Sequence, residues 1–155
     1  MLRKLLATDS NPATIVLRLV TGLVFFAHGA QKMLGWFGGY GLTGTMGFFT
    51  NAMHIPVLFA FLAIAAEFFG ALGLIAGLLT RVAAFGIAVN MIVAIVMVHG
   101  QFGFFANWSG AQKGEGYEYH LLVLAITVFL IIKGAGAASV DRILSNRQSD
   151  PVDQR

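Results

Sequence analysis

Apolar residues are gathered into four stretches, roughly 13–34, 56–79, 82–99 and 117–138. Each is close to the ~20 residues that cross a ~30 Å hydrocarbon core. Polar residues inside the stretches are isolated, and the connections between them are short. The link Leu79–Thr80–Arg81 forces the second and third stretches into an antiparallel hairpin. The pattern predicts an all-α integral membrane four-helix bundle over residues 1–138, followed by a polar cytoplasmic tail at 139–155. The Arg3–Lys4 pair before an apolar run looks like the start of a signal peptide. The run is too long for one and carries Arg18, so the first span is expected to be retained.

Composition sharpens this. Hydrophobic residues make up 57% and charged residues 11% of the chain, and mean hydropathy is +0.79, far from the soluble norm. A net charge of +3 would suit nucleic acid, but the placement of the charges argues against that role. Of the 10 Lys and Arg, only Lys32 and Lys113 fall on one side of the expected membrane. Arg3, Lys4, Arg18, Arg81, Lys133, Arg142, Arg147 and Arg155 fall on the other. Basic residues collect on the cytoplasmic side, so both termini are expected there. With 0 cysteines, the chain can neither form a disulfide nor pass electrons through its own thiols.

Between the spans, Gly35–Gly39 breaks the first helix beside the interfacial aromatics Trp36 and Phe37. The apolar side chains of 41–55 predict a short interfacial helix or cap rather than a solvated loop. Gly73 and Gly77 form a GxxxG pair that suits close helix packing. The second external loop, 100–116, is rich in glycine and aromatics. After Ser139 a short amphipathic turn and then disorder are expected.

An ionisable group within a span is expensive, and so marks the place to seek function. His28, Gln31 and Lys32 share one face at the external end of the first span. They suit either a snorkelling lysine beside an interfacial histidine or a cluster that binds an anionic or carbonyl group. Glu67 lies near the middle of the second span, where a carboxylate costs about 2.5–3.5 kcal/mol. One reading is a buried structural ion pair with Arg18, with Asn90 at a similar depth. The other is a proton-handling carboxylate. His99, Tyr117, Glu118, Tyr119 and His120 cluster at the external ends of the third and fourth spans and can join one ligand pocket with His28 and Lys32. Glu118 and His120 are two apart, so a helix cannot turn both inward. His54 is expected to be solvated, and the absence of any HxxxH or ExxH pair speaks against a metal or haem site.

The run His28-Gly29-Ala30-Gln31-Lys32-Met33-Leu34-Gly35 resembles the HGxxKxxG signature of the DoxX family. Glu67 followed by Gly70, Gly73, Leu74, Gly77, Leu78, Thr80, Arg81, Ala83 and Ala84 is similar to that family's second-helix pattern. Gly116-Tyr117-Glu118-Tyr119 resembles its last signature. The resemblance implies a small, multi-pass bacterial inner-membrane protein linked to quinone-coupled or oxidative-stress redox chemistry.

A quinone site needs an apolar cleft, a few convergent donors and a proton-accepting carboxylate. His28, Gln31 and Lys32, with His99, Tyr117 and His120, are the expected ligand-binding residues, and Glu67 and Glu118 the expected catalytic carboxylates. Beyond the lipid bilayer, a redox partner protein or a homo-oligomer is the expected partner, and electrons would arrive from a partner subunit or directly from substrate. The alternative is a non-catalytic scaffold that holds a partner through its external loops.

Overall fold

Helix boundaries follow the glycine and proline punctuation of the sequence. In the computed structural model, which describes residues 2–147, the chain is all helical, with no strand among the described residues. A short helix α1 (Leu2–Leu6) precedes α2 (Ala13–Leu34), which ends at Gly35 in the left-handed conformation. The apolar connection that follows folds into α3 (Gly41–Gly47) and a wide π turn (Phe48–Ala52). Pro56 starts α4 (Val57–Ala76), and a tight turn leads to α5 (Thr80–Ala94). α5 continues through a π turn to His99 and one 3-10 turn to Phe102. After the second external loop come α6 (Glu118–Lys133) and α7 (Val140–Arg147).

Among the described residues, three helices are long and apolar enough to cross a membrane: Ala13–Leu34, Val57–Ala76 and Thr80–Phe102. The fourth stretch differs from expectation. Its helix stops at Lys133 after 16 residues, about 24 Å at 1.5 Å per residue. The buried segment 134–136 then folds back toward α1 and the start of α2, where Gly136 N–H donates to Thr8 Oγ1 at 2.5 Å.

α4 packs between α2 and α5, and α6 lies on α5 and touches α2. Phe25, Ala71, Leu74, Ala84, Ile87, Met91, Val123 and Leu130 form the shared core. The closest approach is between α2 and α4 at Gly29, where a Cβ would sit 2.6 Å from Phe68 Cα. Only a glycine allows that contact, and it fixes the antiparallel register of the two helices.

The register overturns the expected Arg18–Glu67 pair. Arg18 lies 11 residues before Gly29 on α2, about 16 Å along the axis, while Glu67 is level with Gly29. The buried Arg18 guanidinium instead closes the far end of α4, donating from Nη1 to Leu74 O at 3.0 Å and Ile75 O at 2.7 Å. Its Nη2 donates to Ala138 O at 2.9 Å. A cation among the last carbonyls of a helix satisfies acceptors that have no partner within the helix and opposes the negative end of its dipole.

Asp141 completes the same turn from the other side. It is 1% exposed, and its Oδ1 and Oδ2 accept from the backbone N–H of Leu79 at 2.7 Å and Thr80 at 2.9 Å. These are the first donors of α5, where a carboxylate is favoured. The segment after Ser139, expected to be a polar tail, is therefore built into the fold as far as Arg147. Asp150, Pro151, Asp153 and Arg155, and the expected disorder there, lie outside the described residues. Gly77 ends α4 in the left-handed conformation with φ 66°, so the GxxxG pair serves this turn rather than a helix crossing. Arg81 leaves the turn in the opposite direction, donating to Ala7 O at 3.0 Å and to Ile131 O.

Two measurements test this frame. Asp141→Ala removes the acceptors of the buried Thr80 N–H and the part-buried Leu79 N–H, so a loss of about 1–3 kcal/mol is expected in thermal unfolding of the detergent-solubilised protein; unchanged stability would refute the clamp. Gly29→Ala is expected to push α2 from α4 and lower the unfolding temperature, whereas Gly47→Ala, a helical position whose Cβ would meet only Asn51 Nδ2 at 4.0 Å, is expected to leave it near that of the parent.

Candidate functional site

The register that separates Arg18 from Glu67 brings Glu67 to Lys32. Lys32 Nζ donates to Glu67 Oε2 at 2.5 Å, with the side chains 26% and 12% exposed. The pair forms part of the lining of a partly open cavity of about 550 Å³ between α2, α4, α5, α6 and the turns above them. A charge-assisted bond is stronger than a neutral one, and low surrounding polarity strengthens it. The two charges offset each other, so the pair leaves the cavity neutral. Polar atoms remain available: the ammonium has further donors and the carboxylate further lone pairs.

The rest of the lining is largely apolar. Phe25 and Met91 come from the core, and Phe48, Phe49 and Met53 come from the cap formed by the first external connection. His28 lies at the edge with its ring 6.4 Å from that of Phe25. Asn90 also faces the cavity, with its Nδ2 donating to Ala63 O at 2.8 Å. It lies level with Ala63, about one turn of α4 from Glu67, and bonds the backbone there rather than the carboxylate.

On the opposite wall, His99 and His120 stack with ring centroids 4.1 Å apart. His99 reaches this position because the end of α5 widens into a π turn over Ile95–His99, which shifts the register of its last residues. His99 Nδ1 lies 2.8 Å from Glu115 O. A carbonyl only accepts, so the bonding assigns the proton to Nδ1 and leaves the lone pair on Nε2. His120 is 6% exposed, and its Nδ1 has no hydrogen-bond partner.

Five of the expected residues therefore converge: His28, Lys32, Glu67, His99 and His120. Three do not line the cavity. Gln31 Nε2 donates to Phe37 O at 3.3 Å and braces the turn after α2. Tyr117 packs its ring edge-on to Phe104 at 5.6 Å and donates from its backbone N–H to Gly103 O. Glu118 turns outward, as the two-residue offset from His120 requires. Its Oε1 accepts from Ala106 N–H at 2.8 Å and Trp108 Nε1 at 3.2 Å, which folds the second external loop. Its carboxylate is thus occupied in holding backbone rather than facing a ligand.

Tyr119, expected beside His120 at the start of the fourth span, packs 5.5 Å from it and lines the cavity from the first turn of α6. Sequence reasoning missed Glu115, which reaches the lining through the folded loop, where its Oε2 accepts from Asn107 N–H at 2.6 Å. No periodicity places such a loop residue.

The DoxX family profile matches residues 13–100, more than half of the chain and including α2, α4 and α5. "Putative oxidoreductase CatD" of Bacillus subtilis (strain 168) is 29% identical over 128 residues, covering 83% of this chain and 84% of its own. "Uncharacterized membrane protein Rv3486" of Mycobacterium tuberculosis (strain ATCC 25618 / H37Rv) is 32% identical over 152 residues, covering 93% and 88%. "Inner membrane protein YqjF" of Escherichia coli (strain K12) is 29% identical over 133 residues, covering 86% and 92%. No solved structure matches the chain significantly. With the signature residues His28, Lys32 and Glu67 meeting in one cavity, and a profile and relatives that span most of its length, this chain is a membrane protein of the DoxX family.

Proposed function

We propose that this protein is a small, multi-pass inner-membrane component of a redox system, and that its cavity binds a quinone. In this reading α2, α4, α5 and α6 act as a four-helix bundle with both termini cytoplasmic, and the cavity lies in the external half. The observation that carries it is the convergence of Lys32–Glu67, His28, His99 and His120 on one otherwise apolar space. The name of the Bacillus relative, an oxidoreductase, points the same way.

The cavity chemistry supports a neutral ring ligand with polar edges. Lys32 offers an ammonium donor to a carbonyl oxygen, and Glu67 beside it can take or return a proton at that same oxygen. His28 stands at the edge as a further polar contact. Phe25 and the methionines Met91 and Met97 provide an apolar surface for the ring. The Phe48–Phe49 cap restricts water. A bound quinone would supply the capacity to carry two electrons and two protons. The chain has no thiol, so electrons come from a partner protein or directly from a reduced substrate.

A second reading, a non-catalytic scaffold, draws on the external loops. Trp108 is 90% exposed and Tyr40 is 85% exposed, which suits contact with an interface or another protein. The two readings separate at the cavity, because a scaffold has no need of a ligand there.

Mass spectrometry of an organic extract of the detergent-purified protein decides between them. Near-stoichiometric quinone is expected in the parent. In Lys32→Gln/Glu67→Gln, which leaves no unpaired charge in the cavity, quinone is expected to fall roughly tenfold or more while thermal unfolding stays near that of the parent. A parent with no quinone above the lipid background would remove the redox reading and leave the scaffold.

A further inference from the structure

The two polar walls of the cavity differ in what they can bond. Lys32–Glu67 presents donors and acceptors side by side, so it suits either a carbonyl or a hydroxyl. The histidine wall does not. His99 Nδ1–H is committed to Glu115 O at 2.8 Å, which leaves Nε2 of the neutral ring as an acceptor only. His120, stacked on it at 4.1 Å, is 6% exposed and keeps a buried Nδ1 without a partner. Such a nitrogen is costly to leave unbonded; it has almost no surface of its own, so a ligand atom reaches it only when the His120 ring turns toward the cavity.

A hydroxyl meets both needs. Its O–H donates to His99 Nε2, and as both donor and acceptor it also matches His120 Nδ1 in either tautomer. A carbonyl oxygen has no proton to give. It would face His99 Nε2 lone pair to lone pair. Within the proposed quinone reading, on which this rests, we infer that the His99–His120 wall selects the reduced, dihydroxy form of the ring over the dicarbonyl form. The cavity then raises the midpoint potential of the couple it binds, by about 30 mV for each tenfold of preference in a two-electron couple. This makes the site one that draws electrons onto the ring.

The test is paired binding. A benzoquinone with a decyl tail and its quinol are titrated anaerobically into the full-length, detergent-purified protein by calorimetry. The titrations are run at pH 8, above the ordinary imidazole pKa of about 6.5. The quinol is expected to bind roughly tenfold tighter, the worth of one good hydrogen bond to a group otherwise unpaired. His99→Phe and His120→Phe keep a ring in place and are expected to bring the two affinities to within about threefold, chiefly by weakening the quinol. His99→Gln replaces His99→Phe if the latter does not purify as a single folded species. Equal affinities in the parent, tighter quinone binding, or a preference that survives in both histidine variants overturns the inference while leaving a quinone site standing. Binding of neither form removes the quinone reading and the inference together.

Discussion

The contact of α2 with α4 at Gly29 sets the position of the charged groups that these two helices carry, Arg18, Lys32 and Glu67. A Cβ there would lie 2.6 Å from Phe68 Cα, so the helices meet backbone to backbone at this point and their register cannot slide. Once it is fixed, Lys32 is opposite Glu67 and Arg18 is opposite the end of α4. Neither placement follows from the charges themselves. Arg18 and Glu67 would attract one another if they could meet, but the helix rise holds them about 16 Å apart along the axis. Packing chooses the pairs, and electrostatics then acts on what packing allows.

The two ends of the molecule treat their ions differently. At the Arg18–Asp141 end each ion bonds only to backbone: carbonyls of α4 and of 138 for the guanidinium, N–H groups of Leu79 and Thr80 for the carboxylate. Both side chains are almost fully buried and aimed at helix ends, where the dipoles favour them. This joins the α4–α5 turn, the fold-back after α6 and α7 into one block. At the other end, Lys32 and Glu67 are bonded to each other and remain partly exposed to a cavity. Their further donors and acceptors stay open. One end uses charge to close backbone, and the other leaves an ion pair facing a cavity.

The legible parts of this architecture are those with a local pattern. Helices α2 and α4 and the α5 span follow from apolar length bounded by Gly35, Pro56 and the turn at 77–79. His28 and Lys32 share a face by spacing, and the outward turn of Glu118 follows from its two-residue offset to His120. What was not legible depends on register between helices or on loop path. The Arg18–Glu67 pair was an inference from depth, and depth along one helix says nothing of where its neighbour's residues fall. The end of α6 at Lys133 is hidden in a stretch that stays apolar to 138. The role of Asp141 is invisible, because a lone aspartate after a span reads as a solvated tail until the turn it serves is folded.

The cavity itself requires both kinds of information. α2 and α4 bring the ion pair by a helix crossing. The histidine wall needs the π turn that rotates His99 and the loop that carries the Glu115 carbonyl to its ring. A straight α-helical continuation of α5 would give the last residues a different facing, since a π turn inserts an extra residue into the helical path. The loop that sets the His99 tautomer is in turn held by Glu118, through Ala106 N–H and Trp108 Nε1. Glu118 thus acts on the cavity through the loop without entering it. A carboxylate that reads from sequence as a reacting group instead bonds the loop whose Glu115 carbonyl meets His99 Nδ1.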